Sequence, residues 1–285
     1  LTGLGTFNND RTFNHNQNGG SDNFVLGGGV TFDNNGTFDF VGQGDLQFAN
    51  GSTSTFRNDG LFVKSVAGGD PSFVFSFDGT SGTFIQSSTG TIQSDAGRLR
   101  ITAGTNTSDA AGTWTANGGD IEIASTWTGT ITGTSTAPNI IGVTNSNSIG
   151  MASDLVIGVG GLNVDVEGNG FVWDQSDIDT AGGDLTNLDT FRILTGGAKT
   201  LSGTNRLVTA NGATTSFVGG AAVTTPDTAS LQVDNGGTVN GAGSFEGEVK
   251  GDAGSLIGTG GDLTLGDSSS SSGFATAGDI IVNGG

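Results

Sequence analysis

The sequence predicts an all-β fold of the solenoid type, and three observations carry that reading. The first is a repeat: Phe32-Asp-Asn-Asn-Gly-Thr-Phe38, Phe56-Arg-Asn-Asp-Gly-Leu-Phe62 and Phe77-Asp-Gly-Thr-Ser-Gly-Thr-Phe84, with a fainter copy, Phe7-Asn-Asn-Asp-Arg-Thr-Phe13. Its leading Phe stands at Phe7, Phe32, Phe56 and Phe77, a period in the low twenties at which one coil cannot bury its own apolar face and must stack on the next. The second is composition: 54 Gly against only four Glu and three Lys leaves few straight-chain helix formers, and β-branched and aromatic residues supply most of the apolar content. The third is punctuation, with short alternating runs separated by Gly-Gly or Asn-Gly. At about 22 residues per coil, the chain makes roughly 12 to 13 coils as one continuous solenoid over residues 1–285.

Residues 1–90 are the Phe/Asn-rich part and hold 13 of the 18 Phe. In each copy two Phe flank a turn, so both rings reach the interior and the turn residues face out. Asn9, Asn34 and Asn58 recur in register; stacked Asn side chains bond along a coil axis and hold that register. Gly36 and Gly60 are expected to supply a positive φ in the turn, a role Arg11 cannot take in the first copy.

Residues 91–136 are rich in Thr, Trp and Ile and read as strands of three to five residues, among them Thr91-Ile-Gln93, Leu99-Arg-Ile101, Thr113-Trp-Thr115 and Ile121-Glu-Ile123. Residues 137–150, with a Pro and an Asn/Ser cluster, interrupt this pattern as a loop or seam. Residues 151–285 form a Gly-rich part with shorter side chains, including Leu155-Val-Ile157, Phe171-Val-Trp173, Leu207-Val208 and Leu263-Thr-Leu265.

Charge narrows the partners. A net charge of −19, with nine Lys and Arg scattered from Arg11 to Lys250, disfavours nucleic acid and anionic membrane surfaces. No run approaches the roughly 18 apolar residues of a membrane helix, so no membrane insertion is expected. The chain has no Cys, which excludes disulfide staples, thiolate metal sites and thiol nucleophiles.

The phrases Phe-x-Asn-x-Gly-Thr-Phe (32–38), Phe-x-Asn-x-Gly-x-Phe-x-Lys-Ser (56–65), Gly-x-Leu-x-Ile (97–101) and Gly-Gly-Asp-Leu-Thr-Leu (260–265) resemble the right-handed parallel β-helix repeats of bacterial surface proteins. These are the autotransporter passengers, filamentous-haemagglutinin-like adhesins and exported repeat proteins. The resemblance implies a right-handed parallel β-helix in an extracellular or cell-surface protein of bacterial-type secretion. That family has no shared active-site motif to carry over.

A search for chemistry finds no Asp-Asp pair of the kind a β-helix hydrolase uses. His15, the only histidine, reads as a solvated loop residue. The densest acidic group, Asp174, Asp177 and Asp179, reads chiefly as a solvated edge and is the candidate calcium site, through hard oxygen ligands. Trp114, Trp127 and Trp173 are either core or sugar-stacking platforms. Sequons occur at Asn35, Asn50 and Asn106, and the Thr-x-Thr steps at 113, 126, 130 and 134 are confined to about two coils. The expected function is a non-enzymatic structural protein that self-associates head to tail into a homopolymer, with a monomeric adhesin stalk or a β-helix that binds or cleaves surface polysaccharide as the alternatives.

Overall fold

The computed structural model describes residues 1–16, 23–42, 45–66, 74–78, 82–102, 104–135, 149–151, 154–226, 228–259, 262–266 and 275–276. Among these there is no helix, and every named strand pairing is parallel. The chain winds as a three-faced β-solenoid. The first coil comprises β1 (Gly5–Asn9), β2 (Thr12–His15) and β3 (Phe24–Leu26), and the second comprises β4 (Val30–Asn34), β5 (Thr37–Phe40) and β6 (Leu46–Phe48). β7 (Thr55–Asn58) and β8 (Leu61–Lys64) open the third. β1, β4 and β7 stack on the first face, β2, β5 and β8 on the second, and β3 and β6 on the third. The same three columns continue to Leu263–Leu265 on the first face and Ala275–Thr276 on the second.

Alternation within each short strand sends one set of side chains inward. In β4 the pattern is Val30, Phe32 and Asn34 buried, with Thr31 and Asp33 between them partly exposed. Parallel in-register stacking then makes rows of like residues. On the first face Phe7, Phe32, Phe56 and Phe84 form one row. Phe32 and Phe56 stack at 5.1 Å with rings 6° apart, and Phe56 and Phe84 at 5.8 Å and 8°. Each such contact adds about 0.5–1.5 kcal/mol to the burial of the rings. Downstream, Trp114 and Trp127 meet at 5.4 Å, and Val, Ile and Leu continue the core.

The row corrects the expected repeat. Phe84, not Phe77, occupies the place of Phe32 and Phe56, whereas Phe77 lies on the third face opposite Leu46 and Ile101. The first-face step from Phe56 to Phe84 is therefore longer than the step from Phe32 to Phe56, with the extra length taken up elsewhere in that coil. Two later steps, from Trp127 to Ile157 and from Gly133 to Val166, are longer still. Most of the expected seam at 137–150 lies outside the described residues; Ile149 and Gly150 belong to the third-face strand Ile149–Met151.

Two readings of the turns change as well. Asn9, Asn34 and Asn58 end their strands pointing inward and are buried, not solvent-facing. Gly36 and Gly60 do not have positive φ. They are needed because a Cβ at Gly36 would lie 2.2 Å from the Arg11 carbonyl oxygen, and one at Gly60 2.1 Å from that of Gly36. Positive φ is used instead where long strands bend round a corner, as at Gly129 (φ 95°) within Ser125–Ser135.

Candidate functional site

The end of the first coil is the least covered part of the described chain. β1 has four of its five residues exposed, Phe7 is 40% exposed and Leu4 93%. Leu1 and Val25 are exposed beside them, and Leu1 caps the third face only by its amino group on Val25 O and its carbonyl on Gly27 N. Phe13 and Phe24 are partly buried, so three aromatic rings of the core reach this edge. Among the described residues β1 pairs on one side only, with β4.

An amide ladder reaches the same edge. Asn9 Nδ2 donates to Asn34 Oδ1 at 2.7 Å, Asn34 Nδ2 to Asn58 Oδ1 at 2.7 Å, and Asn58 Nδ2 to Gln86 Oε1 at 2.8 Å. The second hydrogen of each Asn goes to a main-chain oxygen, of Thr37, Leu61 and Thr91 respectively. Those carbonyl contacts decide which atom of each amide is nitrogen. Every donor therefore points toward the C-terminal coils, and at the edge Asn9 presents only its Oδ1 acceptor.

A charged group sits on the outer side of the third face. Glu122 is 1% exposed and bridges two arginines, with Arg98 at 3.1 Å and Arg100 at 3.0 Å. Register explains the grouping, since Arg100 stacks on Glu122 and Arg98 on Asp120 in the next coil. In sequence these basic residues look scattered. In space the two arginines share one carboxylate, so they form no basic patch.

The calcium candidates do not converge. Asp174 is buried beside Lys199, and burial raises its carboxyl above the usual range while lowering the Lys199 ammonium. Asp177 is exposed, its main-chain N–H bonding to Asp154, and Asp179 accepts from Ala181 N at 2.8 Å in a local turn. Among the described residues no group of three His, Asp or Glu is placed to hold a metal ion.

Other candidates are relocated too. His15 is buried in the core, its ring 5.5 Å from that of Phe40, and not in a solvated loop. The three tryptophans are fully buried and donate to Ser108 Oγ, Ala124 O and Ser176 O, so none is a sugar-stacking platform. Asn106 is buried and donates to Thr126 O, which removes that sequon, whereas Asn35 and Asn50 are exposed. Thr6, Thr31, Thr55, Thr83, Thr105 and Thr126 stack as one outer row. The row beside it carries Asn8, Asp33, Arg57 and Ile85 before Thr107 and Thr128, so paired threonines are again limited to two coils on this face. On the second face, Thr113, Thr115, Thr132 and Thr134 with Asp165 and Glu167 line a groove of about 300 Å³.

Sequence reasoning missed Glu122 because the pairing of Arg98 and Arg100 with it depends on inter-coil register. The available signal was that Arg100 and Glu122 are separated by one coil length. Compared with protein families, curated proteins and solved structures, the chain matches none.

Proposed function

We propose that the chain is a non-enzymatic, extracellular structural β-solenoid that assembles by stacking at its N-terminal edge, as the subunit of a surface filament. The observation that carries this reading is the exposure of Phe7 along β1, which pairs on one side only, where the buried amide ladder ends at Asn9. A strand edge templates further strands, and a head-to-tail contact is heterologous and does not close on itself, so it propagates. The amide ladder supports one polarity. Two N-terminal edges face to face would set the Asn9 acceptor against its own copy, which disfavours that pairing.

Electron microscopy and sedimentation of the purified chain at rising concentration test the proposal. Fibres that lengthen with concentration, and that Phe7→Asp abolishes, are expected. Short single particles at all concentrations and salt conditions would overturn it in favour of a monomeric adhesin stalk.

The groove of threonine hydroxyls and two carboxylates supports a second reading, the binding of surface polysaccharide. Hydroxyls and carboxylates suit sugar hydroxyl groups. Retention of the chain on immobilised neutral polysaccharide, lost in Thr132→Val with Thr134→Val, would favour it; equal retention of the variant would remove it.

A further inference from the structure

The groove of the second face holds polar groups that the fold leaves unused. Three stacked strands form it, Thr113–Ala116 and the second-face parts of Ser125–Ser135 and Leu155–Gly168. Their register makes two parallel rows on the outer side, with Thr113, Thr132 and Asp165 in one and Thr115, Thr134 and Glu167 in the other. Each row therefore runs along the solenoid axis from hydroxyl to hydroxyl to carboxylate. At the usual strand spacing it covers on the order of 10 Å. The groove's volume of about 300 Å³ lies at the small end of ordinary ligand clefts.

Part of the lining is already engaged: Thr132 Oγ1 donates to Ala110 O at 2.9 Å, and Thr113 Oγ1 shares a hydrogen bond with Thr91 Oγ1 at 3.0 Å. Thr115, Thr134, Asp165 and Glu167 make no side-chain hydrogen bond or ion pair among the described residues. The ion-paired cations are held elsewhere, Arg57 by Asp59, Arg98 and Arg100 by Glu122, Arg206 by Asp184 and Lys250 by Glu248. A further carboxyl stands near the acidic end of both rows. Asp189 is held above the usual carboxylate range first by burial and then by the negative charge of Asp165 and Glu167. Hydroxyls thus line one end of the groove, and negative charge without a paired cation lines the other.

We infer that the groove selects an amino-sugar polymer, whose ammonium groups sit at the Asp165 and Glu167 end while its hydroxyl groups meet Thr115 and Thr134. The inference rests on the polysaccharide reading of this groove and narrows it to one charge class. Threonine hydroxyls donate to and accept from sugar hydroxyls without regard to charge. The carboxylates discriminate: an ammonium gains from them, an acetamido group does not, and a uronate is repelled. The net charge of −19 acts in the same direction at longer range. A lysine-rich peptide would satisfy the carboxylates and leave the hydroxyl rows unmatched.

The test is titration of the full chain with two oligosaccharides of equal length, β-1,4-linked glucosamine and its fully N-acetylated form, at a pH that keeps the amines charged. The free-amine form is expected to bind about tenfold more tightly, and added salt is expected to reduce the preference. Asp165→Asn with Glu167→Gln should bring both forms to the affinity of the acetylated one. Equal affinity of the parent for the two forms overturns the charge selection and leaves the polysaccharide reading standing. A preference that persists unchanged in the carboxamide variant overturns its assignment to these residues. Oligolysine that binds more tightly than the amino sugar, undiminished by Thr115→Val with Thr134→Val, overturns a sugar as the ligand. Binding of neither oligosaccharide overturns the inference and the polysaccharide reading together.

Discussion

Asn34 donates to Asn58 Oδ1 at 2.7 Å with both side chains fully buried, and this contact ties adjacent coils together inside an otherwise apolar core. Buried amides of this kind matter through what their loss strands. Replacing Asn34 by Leu takes one donor from Asn58 Oδ1 and Leu61 O and one acceptor from Asn9 Nδ2. The expected cost is about 3 kcal/mol, measured as a shift of the urea unfolding midpoint. Asn9→Leu leaves two acceptors, Asn34 Oδ1 and Thr37 O, without this donor and strands no N–H, and should cost about 1 kcal/mol. Equal effects of the two substitutions would contradict a ladder held by its interior members.

Gly60→Ala tests the close approach of coils without altering any polar group. The added Cβ would meet Gly36 O at 2.1 Å, so the corner must open or the chain must unfold there. A loss of about 3 kcal/mol or more is expected. Gly51→Ala is the control: its Cβ has no neighbour within 4 Å, and only its φ of 70° opposes the substitution, at about 1–2 kcal/mol.

Glu122→Gln removes the carboxylate that Arg98 and Arg100 share. Two partly buried guanidinium groups then face each other without the counter-charge between them. Destabilisation of about 3 kcal/mol is expected by urea unfolding. Added salt should recover part of it by screening the repulsion, whereas the parent, whose carboxylate is 1% exposed, should respond weakly to salt.

Lys64 predicts a pH dependence. Burial pushes its ammonium down to about 8, against a partial offset from Asp39, and its Nζ donates to Val66 O. Between about pH 8 and the ordinary lysine value of 10.5, the unfolded chain holds this proton and the folded chain does not. Folding stability from this residue therefore rises with pH through that window, by up to about 3 kcal/mol. Lys64→Met should flatten the rise, so the unfolding free energy of the parent should gain on that of the variant between about pH 7.5 and about pH 10.

Much of the fold was legible because it rests on local pattern. Two-residue alternation, Gly/Asn turns and a recurring Phe pair identify a stacked β-solenoid without any knowledge of its contacts. Register between coils was less legible where turns change length. The Phe77 to Phe84 segment matches the repeat as a string, yet the longer coil before it moves Phe84 into the row of Phe56 and Phe77 onto another face. A one-dimensional repeat cannot tell which of two Phe stacks when the intervening loop grows.

The candidate sites divide in the same way. The Asn series could be read as a ladder from sequence because its members recur at nearly constant spacing, but its burial and its donor direction follow from side chains turned inward at strand ends. Asp174, Asp177 and Asp179 look like a cluster in the string, yet alternation keeps only Asp177 and Asp179 on the outer side of one strand, and the turn at Ser176 separates them from the buried Asp174. Sequence by itself determined the class of fold, the identity of the core residues in the first coils and the recurrence of the corner glycines. Only the tertiary structure decided that those glycines answer to a carbonyl one coil away and that Glu122 joins Arg98 to Arg100. The physical reason is that each of these depends on atoms a full coil apart in the chain, brought together by stacking and invisible to local propensity.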